Sequence, residues 1–185
     1  MSIALTVSER IARIRSDFRM GVAVGFRSGL EKWLVASSET ITLSRFNGMR
    51  KLGPIELAIT DWRAQTLSTW ATDGDIARLA IPDDKDLDWV HSVCDPSDDF
   101  NVPLKGPFTP IFGGRADVSR SALAICKTAH LIPSAVMVNI TDQDIVGLDF
   151  IDLKQILSLI LNPSSQLIEV SAANVPLQVA EASRR

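Results

Sequence analysis

Tyrosine is absent from these 185 residues, and cysteine and histidine occur only twice each. Cys94 and Cys126 belong to no CxxC, and His91 and His130 add no ligand spacing, so no zinc site is readable and the thiols are expected to be buried and unpaired. Long apolar runs are missing too. Those around Ser134–Ile140 and Ile156–Leu161 fall short of the roughly 20 residues that a membrane helix needs, so no membrane span is expected. The start, "MSIALTVSERIARIR", lacks the basic, apolar and cleavage regions of a secretory signal, and the cytoplasm is the expected location. No strand leads into G-x-G-x-x-G or G-x-x-x-x-G-K, which disfavours those routes to nucleotide binding; "GFRSG" and "FGGR" fit neither. Lys and Arg (19) are outnumbered by Asp and Glu (22), giving a formal charge of −3. That balance argues against a broad nucleic-acid surface and leaves room for a small phosphorylated ligand.

What is present is an ordinary apolar share of 46%, enough for one domain with its own core. Thr6 and Glu9 form a capping box, and Ile11, Ile14 and Phe18 repeat at helical spacing until Gly21. "VAVGF" and "WLVA" read as strands around a turn, "RSGLEK". A helix is predicted from about Thr42 to Gly53 with Leu43, Phe46 and Met49 on one face. "PIELAIT" is a strand, and Thr60 should cap the helix "DWRAQTL". "ARLAI" is a further strand, followed by the helix "KDLDWVHSVC" and a Pro- and Gly-rich ordered loop over 95–114. Asp117 or Ser119 should cap a helix whose Ala122, Ile125, Cys126 and Ala129 face a sheet. "SAVMVNI" is a buried strand. Leu153, Ile156, Leu157 and Ile160 mark another helix, stopped by Asn162-Pro163, and "QLIEV" reads as a last strand before a tail containing Pro176. The expected class is α/β (α+β): a mixed β-sheet covered by helices, in a single domain over 1–185 with 171–185 as linker or tail.

In order, "RIRSDFRMGVAV", "WLVASSET", "LAITDWRAQTL", "CDPSDDFNVPLKGPF", "GRADVSRSALAICKTAHLIPSAVMVNI" and "SSQLIEVSAANV" form a series. It resembles the 3,4-dihydroxy-2-butanone 4-phosphate synthase family of riboflavin biosynthesis, above all the version fused in front of GTP cyclohydrolase II. The likeness runs from about Ser8 to Val175 and rests on order and spacing. It implies a scaffold that converts ribulose 5-phosphate to dihydroxybutanone phosphate and formate with a magnesium ion held by a glutamate and a histidine. The family's acidic hairpin, D-R-E-N-E-G-D, falls on Arg27, Ser28, Gly29, Leu30, Glu31, Lys32 and Trp33. Its metal-binding glutamate is thereby Gly29, and the histidine of its G-H-T-E is Val118. The phosphate-binding T-G-x-S-x-x-D-R has no counterpart between Leu67 and Asp95. The resemblance therefore implies a degenerate synthase-like domain without catalytic residues, metal or other cofactor. The fused cyclohydrolase's three-cysteine zinc site is excluded from this segment. The ending resembles the stretch before that domain, so the chain is expected to be the N-terminal part of a longer protein.

Individual residues carry competing readings. Arg115, Ser119 and Arg120 at a helix start fit an anion site, and ordinary capping explains the same letters. Glu31 reads either as a surviving acidic site residue or as an exposed turn glutamate; with Asp117 and Arg115 it would serve a lyase with unusual ligands. His130 is expected at the last helix carbonyls and His91 in solvent. Asp83, Asp84, Asp86 and Asp88 read as a solvated helix start and not a calcium loop. Trp33, Trp62, Trp70 and Trp89 read either as core packing, favoured for Trp33 by the strand alternation of its neighbours, or with at least one of them on a subunit interface. The resemblance implies a homodimer and GTP cyclohydrolase II as partners, and the helix start at Arg115, Ser119 and Arg120 leaves a phosphorylated metabolite as an alternative role.

Overall fold

The computed structural model describes residues 5–141, 148 and 150–161. The stop at Asn162-Pro163, the "QLIEV" strand and the 171–185 tail lie outside them. The strands are β1 (Val24–Ser28), β2 (Glu31–Ser37), β3 (Ile55–Thr60), β4 (Ile76–Ala80), β5 (Thr109–Pro110), β6 (Ser134–Asn139) and β7 (Phe150–Asp152). They form one mixed sheet in the order β5-β4-β3-β6-β2-β1-β7, antiparallel except where β7 joins β1. The α-helices are α1 (Val7–Arg19), α2 (Leu43–Arg50), α3 (Asp61–Thr66), α4 (Leu87–Cys94), α5 (Ala116–Thr128) and α6 (Leu153–Leu161). A 3-10 turn, Pro96–Asp98, opens the long loop. The expected mixed sheet covered by helices is the fold observed.

Strand alternation sends side chains to opposite faces, and each face has its own core. On one, Phe18 of α1, Phe26 and Trp33 of the hairpin, Val118, Ile125 and Cys126 of α5, and Ile156 of α6 pack together. On the other, Phe46 and Met49 of α2, Ala64 of α3 and Val90 and Val93 of α4 pack on Leu57, Leu79 and Val136. Fully burying one such large side chain contributes about 1.5–3 kcal/mol.

The local signals act as their chemistry requires. Thr6 and Glu9 close the capping box, Thr60 accepts from the Arg63 N–H, and Asp86 accepts from the Trp89 N–H. Gly21 takes φ +64°, and a Cβ there would collide with the Thr40 carbonyl oxygen.

Four expectations fail. The hairpin turn is only Gly29-Leu30, because cross-strand pairing continues to Ser28 and Glu31. Leu43, 55% exposed, leaves the buried face of α2 to Phe46 and Met49. Arg115 occupies the N-cap of α5 with no side-chain cap bond, so neither Asp117 nor Ser119 caps it. His91 is half-buried with its Nε2 enclosed. Strand β7 was missed because three residues are too few to show a period.

Candidate functional site

The β1–β2 turn and the start of α5 meet at one corner. Ser28 Oγ donates to Asp117 Oδ2 at 3.0 Å, and Arg115 holds the same carboxylate from Nε (3.2 Å) and Nη2 (2.8 Å). The Val118 N–H also donates to Asp117 Oδ1 at 3.1 Å. Burial pushes the Asp117 carboxyl up, but these donors outweigh it and hold the group below the ordinary carboxylate range. Asp117 and, more weakly, Glu31 raise the Arg115 pKa. Glu31 itself accepts from Trp33 Nε1 at 3.2 Å and is half-buried at the start of β2, not free in a turn.

Gly29 sits at this corner with φ +64°, the nearest atom to a Cβ built there being Arg115 Nη1 at 3.9 Å. Val118 is fully buried in the core. Neither supplies an oxygen or nitrogen side-chain donor. Among the described residues no group of three His, Cys, Asp or Glu could hold a metal ion. Magnesium requires oxygen ligands in near-octahedral array, and the one carboxylate at the centre of this corner, Asp117, is committed to Arg115 and Ser28. The side chains present here do not fit that ion.

The three residues considered for an anion do not converge on one point. Arg115 pairs with Asp117. Arg120 pairs with Asp75 through Nε and Nη2, and donates to the Asp73 carbonyl at 2.8 Å. Ser119 is fully buried, with an Oγ that has no partner among the described residues.

Beneath this end of α5 lies a charged pair that the sequence did not reveal. Arg78, 2% exposed inside β4, donates to Asp73 at 2.9 Å and to the Gly113 carbonyl. Glu56, on the neighbouring strand, has a buried Oε2 without a partner among the described residues. Burial raises its pKa, Arg78 opposes that rise and Asp73 adds to it. The guanidiniums on this side, Arg78, Arg115 and Arg120, thus face Asp73, Asp117, Asp75 and Glu56, a balance that offers no surplus positive charge to a phosphate.

A second hub orders the long loop. Arg63 of α3, 8% exposed, donates to the carbonyls of Val93, Ser92 and Asp95 and to both oxygens of Asp99 at 2.6 and 2.7 Å. Lys105 also reaches Asp99. These donors hold the Asp99 carboxyl far below its ordinary value. The only sequence signal was the length and proline content of the loop. The remaining polar candidates are structural: Asp86 caps α4, Arg19 and not His130 binds the Ala129 carbonyl, and both thiols are free and buried. Burial pushes the Cys126 thiol up to about 12.

No family model matches the sequence. No curated protein matches it. The fold, however, belongs to a recognisable class. A crystal structure of 3,4-dihydroxy-2-butanone 4-phosphate synthase in a cation-free form superposes with TM-score 0.59 over 83% of this chain and 98% of that one, at 15% identity. The same enzyme with two magnesium ions gives 0.57 over 85% and 99%, also at 15%. RibBX, a two-domain 3,4-dihydroxy-2-butanone 4-phosphate synthase from A. baumannii, gives 0.56 at 14% identity, covering 94% of this chain and 63% of that one. The chain has a dihydroxybutanone phosphate synthase-like fold. Among the described residues no helix is long and apolar enough to cross a membrane.

Proposed function

We propose that the chain is a catalytically degenerate dihydroxybutanone phosphate synthase-like domain of riboflavin biosynthesis, without a resident metal or other cofactor. In this reading it is cytoplasmic, forms a homodimer, and acts as a dimerisation and positioning module for GTP cyclohydrolase II. One observation carries the reading. At the corner where the resemblance puts the magnesium ligands, a left-handed glycine, Gly29, and a core valine, Val118, stand beside an Asp117 already paired with Arg115. Burial energy and scaffold persist where the electrostatics of the reaction are missing. The balanced guanidiniums support it further, since ribulose 5-phosphate carries a dianion.

The test is formate release from ribulose 5-phosphate and magnesium by the folded chain. No formate above the uncatalysed rate is expected, and sustained release would overturn the reading. Release abolished by Asp117→Asn would favour a second reading, a lyase built on Glu31, Asp117 and Arg115, which the meeting of these residues at one corner supports. A rise in melting temperature with inorganic phosphate, lost in Arg115→Ala, would favour a regulatory anion site at Arg115, Ser119 and Arg120 instead. The link to GTP cyclohydrolase II is checked by immunoblotting the native protein in its source cells. A mass well above 20.2 kDa is expected, and a band at 20.2 kDa alone would sink it.

A further inference from the structure

The sheet edge opposite β5 carries a recess of about 360 Å³, set between α1, the start of β1 and β7. That volume lies within the range of roughly 300–1,000 Å³ typical of small-molecule sites. The floor is apolar: Ile14, Val24 and Ile151 are all buried, and the half-buried Phe150 stands beside them. The rim is charged. Arg10, Arg13 and Asp17 fall with Ile14 at positions i, i+3, i+7 and i+4 of α1, so one helix face presents two guanidiniums, an apolar side chain and a carboxylate to the same space.

The arginines of α1 divide into two pairs. Arg15 donates to Thr128 Oγ1 at 3.0 Å and Arg19 to the Ala129 carbonyl at 2.9 Å, which fastens the helix to the end of α5. Arg10 and Arg13 are exposed, and among the described residues no hydrogen bond or ion pair engages either guanidinium. Glu9, beside Arg10 in sequence, is turned back to Thr6 in the capping box.

We propose that this recess binds a small amphipathic monoanion, a monocarboxylate with an apolar body. The carboxylate lies on Arg10 and Arg13, and the body covers Ile14, Val24 and Ile151. Three features set that chemistry. First, the guanidinium fork matches the two oxygens of a carboxylate, and two such forks stand one helical turn apart with no acid spent on them. Second, the floor gains free energy only when an apolar body removes it from water, which a fully polar anion cannot do. Third, Asp17 reduces the net charge of the rim to a single positive unit, which suits one negative charge and disfavours a dianion.

This site goes beyond the reading above and does not depend on it. Strand β1 runs from Val24 at the recess to Ser28 at the Asp117 corner, four residues or about 13 Å away, so the two places are distinct. A ligand in the recess bridges α1 to β7, the short edge strand paired with β1, and thereby favours the folded state.

Calorimetric titration of the full chain with octanoate tests this, beside acetate, which has the charge without the body, and octanol, which has the body without the charge. Saturable one-to-one binding of octanoate is expected, at least about tenfold tighter than either control. Arg10→Gln/Arg13→Gln, two changes on exposed surface, should weaken octanoate at least about tenfold and leave octanol unaffected. No saturable binding of octanoate to the wild type at millimolar concentration overturns the site. Octanol bound as tightly as octanoate overturns the role of the guanidiniums, and octanoate binding unchanged in the folded double variant overturns the placement. Should that variant fail to fold, hydrogen exchange on the wild type decides. Residues 10–17 and 22–24 must slow when octanoate is added, and unchanged exchange there counts against the recess. None of these readouts involves ribulose 5-phosphate or formate, so their failure leaves the degenerate-synthase reading standing.

Discussion

Ser28 at the end of β1 donates a 3.0 Å hydrogen bond to Asp117 in the first turn of α5, across 89 residues of chain. The bond fastens the hairpin turn to the helix start. A carboxylate engaged in this way, with Arg115 on its other side, serves as a strut between two elements.

Asp99→Asn is expected to destabilise the fold by about 3 kcal/mol, toward the low end for breaking a buried pair because Asp99 keeps 29% of its side chain in solvent. Arg63 and Lys105 would be left buried without their shared counter-charge. For a chain of this length the midpoint should fall by about 10 °C, measured by thermal unfolding at neutral pH. A fall under about 2 °C would mean that the hub does not order the loop.

Glu56→Gln should stabilise the protein more at pH 7 than at pH 4. The folded-state pKa of Glu56 is raised, so its contribution is fully present below the unfolded value and is lost as pH rises through the folded one. Glutamine removes that loss. Melting curves of the two proteins from pH 4 to 7 should therefore diverge upward, and parallel curves would contradict the burial of Oε2.

The carboxylates Asp99, Asp117 and Asp75 carry the opposite sign. Each is depressed by its cationic partner, so its contribution is present above the ordinary aspartate range and is lost as pH falls through the depressed folded values. Asp99→Asn should flatten the acid limb of the stability profile below about pH 4 more than Asp75→Asn, whose pair is largely exposed. Acid titration of unfolding for both variants gives the ranking.

Two glycines should respond in opposite directions to alanine. Gly48 lies inside α2 with nothing within 4 Å of a new Cβ, and Gly48→Ala is expected to stabilise by about 1 kcal/mol. Gly21→Ala should cost at least about 2 kcal/mol, from its left-handed backbone and the collision with the Thr40 carbonyl. Urea unfolding of both variants checks the pair.

Much of the scaffold was legible because its signals are local. The capping box at Thr6 and Glu9, the stripe from Ala122 to Ala129 and the run "SAVMVNI" each fall within a few turns or one strand. Leu43 misled because helical spacing names a face without saying which of its members the partner element reaches. The corner was legible in part: the resemblance singled out Gly29 and Val118, and Arg115 and Asp117 were both marked. That Arg115 binds Asp117, and that Arg120 instead spans 45 residues to Asp75, depends on side-chain reach across elements. Arg63 and Arg78 stayed hidden because each looks like one more cation in an amphipathic segment. Their carboxylates arrive from loops whose path no periodicity encodes.

Val118 sets the cost of any return to metal chemistry at this corner. As a fully enclosed member of the core it contributes to holding α5 on the sheet. An imidazole in its place would have to shed water among apolar neighbours, at a cost of the order of 1–3 kcal/mol without a partner. A glutamate at Gly29 would likewise strain a left-handed turn. On the degenerate reading, every step back toward metal chemistry lowers stability before it restores any rate, so the domain is held in its present role by its own packing.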